Sequence, residues 1–297
     1  MPRINRVIEL WEQGQPVYRE GIGELSYDNG KKMSDTWADY LLTDFEHAPF
    51  DMVGLRAFMQ GLADAGPTRS GHRTPTVMVT LPSNCRTREE MWANSWQVRH
   101  ALSTGVHGIL HTHTRQPDAV QAFVESTRYP FQTIGVGKGL LQGQRGAGGQ
   151  QFPAQIWGVD PVTYTKIADP WPLNPEGEII LGLKIEDREC LANCDEIAAI
   201  PGISFGEWGP GDMGMSFGNA DAHDPPYPDE MNRVRNQIKA SADANGLKFL
   251  SSWNDPSKDD EGNLQVLIDM GAAIFSGGGP ERAEVGRKMT NRQMPVG

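Results

Sequence analysis

Cysteine is scarce: Cys85, Cys190 and Cys194 are the only three in 297 residues, too few and too unevenly spaced for a disulfide framework, which fits a reducing compartment. Cys190 and Cys194 lie one helical turn apart and, without further cysteines nearby, read as two small buried side chains rather than a metal pair. Long apolar runs are also missing. Nothing approaches the roughly 18 consecutive apolar residues that cross a bilayer, and the opening MPRINRVIELWEQGQ lacks the apolar stretch of a signal peptide. The expectation is a cytoplasmic protein with no membrane partner. Positive charge is in deficit, with 27 Lys and Arg against 38 Asp and Glu and a net charge of -11. No local basic cluster offsets it, so nucleic acid is excluded as a partner.

What is present is an alternation of apolar runs and amphipathic stretches with no composition break, which predicts one domain over 1–297. The strand candidates are Val17–Ser26, Tyr40–Phe45, Thr76–Leu81, Gly108–Thr112, Ile179–Ile185, Ile203–Glu207, Lys248–Ser252 and Ala272–Ser276. Between them come helical patterns at Met52–Asp64, Arg88–Ser103, Asp118–Ser126, Glu189–Ala199, Asp229–Asn245 and Leu264–Met270, several followed by a glycine suited to leaving a helix. Eight strands alternating with helices predict an α/β fold of the closed (β/α)8 TIM-barrel kind, with an open doubly wound sheet as the fallback. The one interruption, Phe131–Glu178 between strands four and five, is rich in Gly and Pro. It reads as an inserted loop, serving as a lid or a subunit contact. Its stretch Gly135–Gly149 lacks the order of a phosphate-binding loop and reads as a mobile glycine-rich lid.

Barrel active sites are built at the C-terminal ends of strands, and those ends are polar here: Asp44-Phe45-Glu46-His47, His111-Thr112-His113, Glu186-Asp187, Glu207 to Asp212, and Trp253-Asn254-Asp255. Taken singly, each carboxylate can cap a helix and each histidine can serve structure. Taken together, Glu186 and Asp212 from adjacent strands predict a divalent metal site, with His47 beside it as acid–base. Oxygen ligands favour Mg2+ or Mn2+, while His111 and His113 keep Zn2+ open and Co2+ is a further alternative. Trp208 and Trp253 could line a substrate pocket or cap the barrel core. Lys184 is the lysine at a strand end, and its side chain is expected to alternate away from Glu186, which disfavours a Schiff base.

These motifs resemble those of the metal-dependent pyruvate aldolases of the HpcH/HpaI type, over most of the chain. Tyr40–Pro49 (YLLTDFEHAP) resembles the strand-two signature, Leu183–Asp187 (LKIED) the strand with the first metal carboxylate, and Gly209–Gly218 (GPGDMGMSFG) the segment with the second. Ser126–Pro130 (STRYP) is similar to a further motif, followed in relatives by an Arg-Gly loop that here would be Arg145–Gly148. The resemblance implies that His47 is the base and Asp44 its orienting partner, and that Glu186 and Asp212 hold the metal. Gly209, Pro210 and Gly211 would then contact substrate. It further implies a carbon–carbon lyase acting on a 2-oxo acid, with an aldehyde as partner, in a homo-oligomer that is hexameric or dimer-based. Two departures stand out. Thr80 occupies the place of an arginine that grips the 2-oxo acid in relatives, and His111 and His113, expected to share a face, replace apolar residues. Thr80, His111 and His113 are therefore substrate-binding candidates, with Trp253 beside them. A decarboxylase, hydratase or other lyase on a bulkier or aromatic acid is the alternative, as is a non-catalytic member.

Overall fold

The computed structural model describes residues 2–221 and 223–296. Eight parallel strands close into a barrel: β1 (Val17–Gly21), β2 (Tyr40–Thr43), β3 (Thr76–Thr80), β4 (Gly108–His111), β5 (Ile179–Lys184), β6 (Phe205–Trp208), β7 (Lys248–Ser252) and β8 (Ile274–Ser276). Each pairs with its sequence neighbour. Closure comes from β1 against β8, with Val17 opposite Ile274, and β4 runs beside β5 in the register Gly108–Ile180 to His111–Leu183. The eight strand expectations are met, most with ends trimmed where caps or turns take over, while the sixth runs one residue further, to Trp208. Ser26, for example, is the N-cap of a helix at Tyr27–Met33.

Alternation along each strand separates two cores. Val17, Tyr40, Leu42, Met78, Leu110, Ile180, Phe205, Leu250 and Ile274 face the interior, joined by Val7, Ile8, Leu10 and Trp11 from the helix Arg6–Glu12, which plugs the lower end. Their neighbours, such as Leu41, Val77, Val79, Ile109, Leu181 and Phe249, face outward under the helices. Gly182 makes room inside, because a Cβ there would stand 2.2 Å from the Phe205 ring. Several helices are capped by side chains that the sequence supplies, including Asp51 for Met52–Ala65 and Asp187 for Arg188–Ala192. No helix among the described residues is long and apolar enough to cross a membrane.

The segment 131–178 is less loop-like than its composition suggests. It carries helices at Gln151–Trp157 and Pro161–Ile167, and Leu140, Ile156, Trp157 and Tyr164 join the outer core. Trp157 Nε1 donates to Gly105 O at 2.8 Å and Arg73 Nε donates to Ile156 O at 3.0 Å. Both contacts precede the first residues of β4 and β3. The segment therefore packs at the N-terminal end of the barrel rather than as a lid over the C-terminal strand ends. Its glycine-rich part is pinned as well, by Arg145 over the Tyr129 ring and by Leu141 N donating to Glu125. Phe131, Ile134, Val136 and Leu141 remain exposed on it.

Candidate active site

At the C-terminal end of β2 the chain turns through Asp44, Phe45, Glu46 and His47. Phe45 is buried and anchors the turn, which leaves the polar residues at the mouth. Asp44 is held at three points: Thr80 Oγ1 donates to Oδ1 at 2.7 Å, the Glu46 amide donates to Oδ1 at 3.0 Å, and His47 Nδ1 lies 2.8 Å from Oδ2. Burial works against ionisation of Asp44, but the bonds from Thr80, His47 and Glu46 hold its carboxyl below the ordinary range. In return the Asp44 hydrogen bond raises the pKa of His47. Nδ1 is committed to Asp44, so Nε2 is the nitrogen left to exchange a proton. The expected pairing of His47 with Asp44 is thus present. Thr80, expected to touch substrate, has its hydroxyl committed to positioning Asp44.

Glu186, two residues beyond β5, is 1 % exposed, and its Oε1 has no hydrogen-bond partner among the described residues. Burial pushes its pKa well up; Lys184 opposes this, and Glu207, Glu46 and Asp212 add to it. Asp212, in the first turn of the helix Pro210–Ser216, is the last of the charges that raise the Glu186 pKa, and it stands outside the clusters of closely spaced ligand atoms among the described residues. Gly209 is the N-cap of that helix, with Pro210 at its first position, and a Cβ there would lie 2.5 Å from Glu186 Oε2, so the carboxylate would have to move. Gly209 thus borders Glu186, whereas Gly211 faces away from it, its Cβ position lying 3.2 Å from the His223 ring.

Lys184 points into the mouth, not away from it. Within β5 it shares the parity of the interior Ile180 and of Gly182, so its side chain falls on the inward face. Its Nζ donates to Glu46 Oε2 at 2.6 Å and lies 3.7 Å from Glu186 Oε2. Burial alone would lower its pKa, but Glu207, Glu186 and Glu46 outweigh that and raise it. An ammonium held charged is a poor amine nucleophile, so the structural correction still leaves a Schiff base disfavoured.

The two histidines at the end of β4, His111 its last residue and His113 beyond it, part company. His111 alternates with the inward Leu110 and faces outward, fully buried, with Nε2 at 3.1 Å from Met91 Sδ and its ring edge-on to Phe123 at 4.8 Å. Burial lowers its pKa to about 4. It belongs to the core, and the expectation of a shared face fails because the strand ends between them. His113 takes φ 43°, a left-handed conformation uncommon outside glycine. That turn swings its ring into the mouth, with Nδ1 at 3.2 Å from Asp187 Oδ2 and 4.0 Å from Glu186 Oε1, and Nε2 at 3.5 Å from Glu46 Oε1. Asp187 also accepts from Arg115 Nε at 2.8 Å and caps the following helix. Although burial opposes it, bonds from His113, the Cys190 amide and Arg115 keep Asp187 well below the ordinary carboxylate range. Trp253 lies outside the barrel, 5.7 Å from the Tyr227 ring and under Arg235. Trp208 shares that packing, so neither tryptophan lines the mouth.

Glu46, His113 and Glu186 offer ligand atoms within 4.8 Å of one another. Sequence reasoning had passed over Glu46 and Glu207, although both lie at strand ends it had marked as polar. A hard divalent ion suits this donor set, since the unpartnered buried oxygen of Glu186 needs a cation and several carboxylates surround a single ammonium.

A family model described as HpcH/HpaI aldolase/citrate lyase matches residues 29–278. The chain belongs to this family. A hydroxypyruvate/pyruvate aldolase of Deinococcus radiodurans is 31 % identical over 182 residues, 61 % of this chain and 53 % of that protein. A 4-hydroxy-2-oxo-heptane-1,7-dioate aldolase of Salmonella paratyphi A is 25 % identical over 247 residues, 82 % of this chain and 80 % of that protein. The chain thus spans about half the length of the first of these relatives. Among solved structures, a family protein from Burkholderia cenocepacia superposes with TM-score 0.68 at 19 % identity over 96 % of both chains. A citrate lyase beta subunit from M. tuberculosis, complexed with oxaloacetate and magnesium, gives TM-score 0.52 at 14 % identity, over 93 % of this chain and 97 % of that one. These superpositions concern the fold, and they agree with the closed barrel.

Proposed function

We propose that the chain is a divalent-metal-dependent carbon–carbon lyase that cleaves or forms a 2-oxo acid, with an aldehyde as the second product or substrate. The observation that carries this reading is Glu186: a buried carboxylate with an oxygen unpartnered among the described residues, clustered with Glu46 and His113, where Glu46 also joins the Asp44–His47 pair. Glu186 and Asp212 would hold the ion, which supplies Lewis-acid stabilisation for negative charge on a keto oxygen. Mg2+ or Mn2+ suits the oxygen donors. His47 Nε2 takes the proton of the C4 hydroxyl in cleavage and returns it in condensation, while Asp44 fixes the ring and tautomer. Lys184 offsets the carboxylate charge so that an acid anion can enter, and His113 closes the cluster towards Asp187.

The direct test assays the purified protein against pyruvate, oxaloacetate and an aldehyde panel, before and after a chelator. Retro-aldol or aldol turnover should fall at least roughly 100-fold on chelation, because metal electrophiles contribute several kcal/mol to such steps, and Mg2+ or Mn2+ should restore it. Undiminished turnover in the chelated protein would remove the metal from the reading. A second test uses the close approach of Gly209 to Glu186. Gly209→Ala should weaken Mn2+ affinity roughly 10- to 100-fold, the range seen when the support of a metal ligand is disturbed, and calorimetric titration would show it. Unaltered affinity would mean that the Glu186 carboxylate can shift without loss.

A further inference from the structure

The mouth holds five carboxylates, Asp44, Glu46, Glu186, Glu207 and Asp212, and an anionic substrate entering it needs cations. Lys184 is matched by Glu46 and Glu186, and Arg115 by Asp187. A third cation, Arg19, is different. It stands two residues after Val17, an interior residue of β1, and so shares the inward face. Its register partner on β2 is the interior Tyr40. The pKa of the Tyr40 hydroxyl is raised chiefly by burial, with Arg19 opposing that rise and Glu207 adding to it. No carboxylate among the described residues comes within 4.0 Å of Arg19. With Gly21, Leu42, Asp44, Gly277 and Gly279 it lines a cavity of about 410 Å³ between β1, β2 and β8. Glu20, at the rim of the same cavity, accepts instead from Thr36.

We infer that Arg19 binds a second anionic group of the substrate, at the end remote from the 2-oxo acid. This rests on the lyase reading above. In an eight-stranded barrel β1 stands opposite β5, so Arg19, rooted beside Tyr40 in the interior, lies on the side of the barrel opposite Glu186 and lines one cavity with Asp44, the residue after β2. A substrate with its 2-oxo acid at Glu186 and Asp212 and its C4 hydroxyl at His47 extends towards Arg19. The guanidinium, with no carboxylate partner among the described residues, is free to make charge-assisted paired bonds to a terminal carboxylate or phosphate. The favoured substrates are therefore 4-hydroxy-2-oxo acids that end in an anion, over those that end in a neutral group.

The experiment titrates the full-length, Mg2+-supplemented protein and its Arg19→Gln and Arg19→Lys variants by calorimetry. The ligands are pyruvate, which has no second anion, 2-oxoadipate, and a 2-oxo acid with a terminal phosphate. Arg19→Gln should weaken binding of the doubly anionic ligands roughly 10- to 100-fold, as expected for loss of hydrogen bonds to a charged group, and leave pyruvate within about two-fold. Arg19→Lys should recover part of the loss. Whichever of the two longer ligands loses more identifies the terminal group. An equal loss for pyruvate would reduce Arg19 to a structural role, and unchanged binding of both longer ligands would overturn the inference while the lyase reading stands. A wild-type protein that binds none of the three would overturn that reading and the inference together.

Discussion

Glu186→Gln should abolish tight divalent binding and lower turnover by roughly 10³-fold or more, the equivalent of the several kcal/mol that a metal electrophile contributes, while leaving the barrel folded. The substitution keeps the volume and removes the charge. In the metal-free protein that charge is unfavourable, because burial opposes it first and Glu207, Glu46 and Asp212 repel it, with Lys184 compensating in part. Two opposite effects on stability follow. Without metal, the variant should melt above the wild type; with metal, only the wild type should gain, since binding to the folded state alone raises its stability. The pH dependence carries the same sign. A carboxyl with its folded pKa raised holds its proton in the native state above pH 4.5, where the unfolded chain has released it. The metal-free wild type should then lose stability as pH rises from that value towards the folded pKa, and the glutamine variant should lack this component. Thermal melts across pH with and without Mn2+ make the comparison. Metal retained at full stoichiometry in the variant would show that the ion, if any, sits elsewhere.

The barrel was legible because its strands are short apolar runs separated by glycine-marked turns, and periodicity of that kind survives in a single sequence. Helices were missed where composition hid them. Pro210–Ser216 is built from PGDMGMS, with two glycines inside, and Arg6–Glu12 is only two turns long. In the site, Asp44, His47 and Glu186 were visible from strand-end position alone. Lys184 was misplaced although within β5 it shares the parity of the interior Ile180. His111 and His113 were paired by the rule for residues two apart, which holds only within a strand; β4 ends at His111, and the left-handed turn at His113 re-aims the second ring. Thr80 illustrates a different limit. Its position could be read from sequence, but that its hydroxyl is used by Asp44 depends on how β2 and β3 align, with Thr43 opposite Val79. Arg19 gave no signal, because two adjacent charges of opposite sign, Arg19 and Glu20, in a short strand do not show which of them faces inward.

His47→Ala should keep the metal and lower turnover by roughly 10² to 10⁴, the range for a positioned acid–base group. Because a lost side chain could disturb the turn as well, the decisive measurement is the pH profile of Asp44→Asn. In cleavage His47 must accept a proton, so its neutral form is the active one and turnover should rise with pH through its pKa. The Asp44 hydrogen bond is the largest influence on that pKa and raises it above 6.5. With asparagine at 44 the stabilisation of the imidazolium is withdrawn, and the rise should move to lower pH. The maximum should fall at the same time, because a neutral amide can offer the ring either an oxygen or an amino group and no longer selects the tautomer that leaves Nε2 free. Thr80 and the Glu46 amide, which now donate to Asp44 Oδ1, would favour an asparagine with its oxygen towards them and its amino group towards His47, the orientation that imposes the wrong tautomer. Thr80→Ala should then act in the same direction as Asp44→Asn but more weakly, since the carboxylate remains. A profile for Asp44→Asn with its rise at the wild-type pH would mean that another group titrates, and His113, in contact with Glu46 and Asp187, is the next to test.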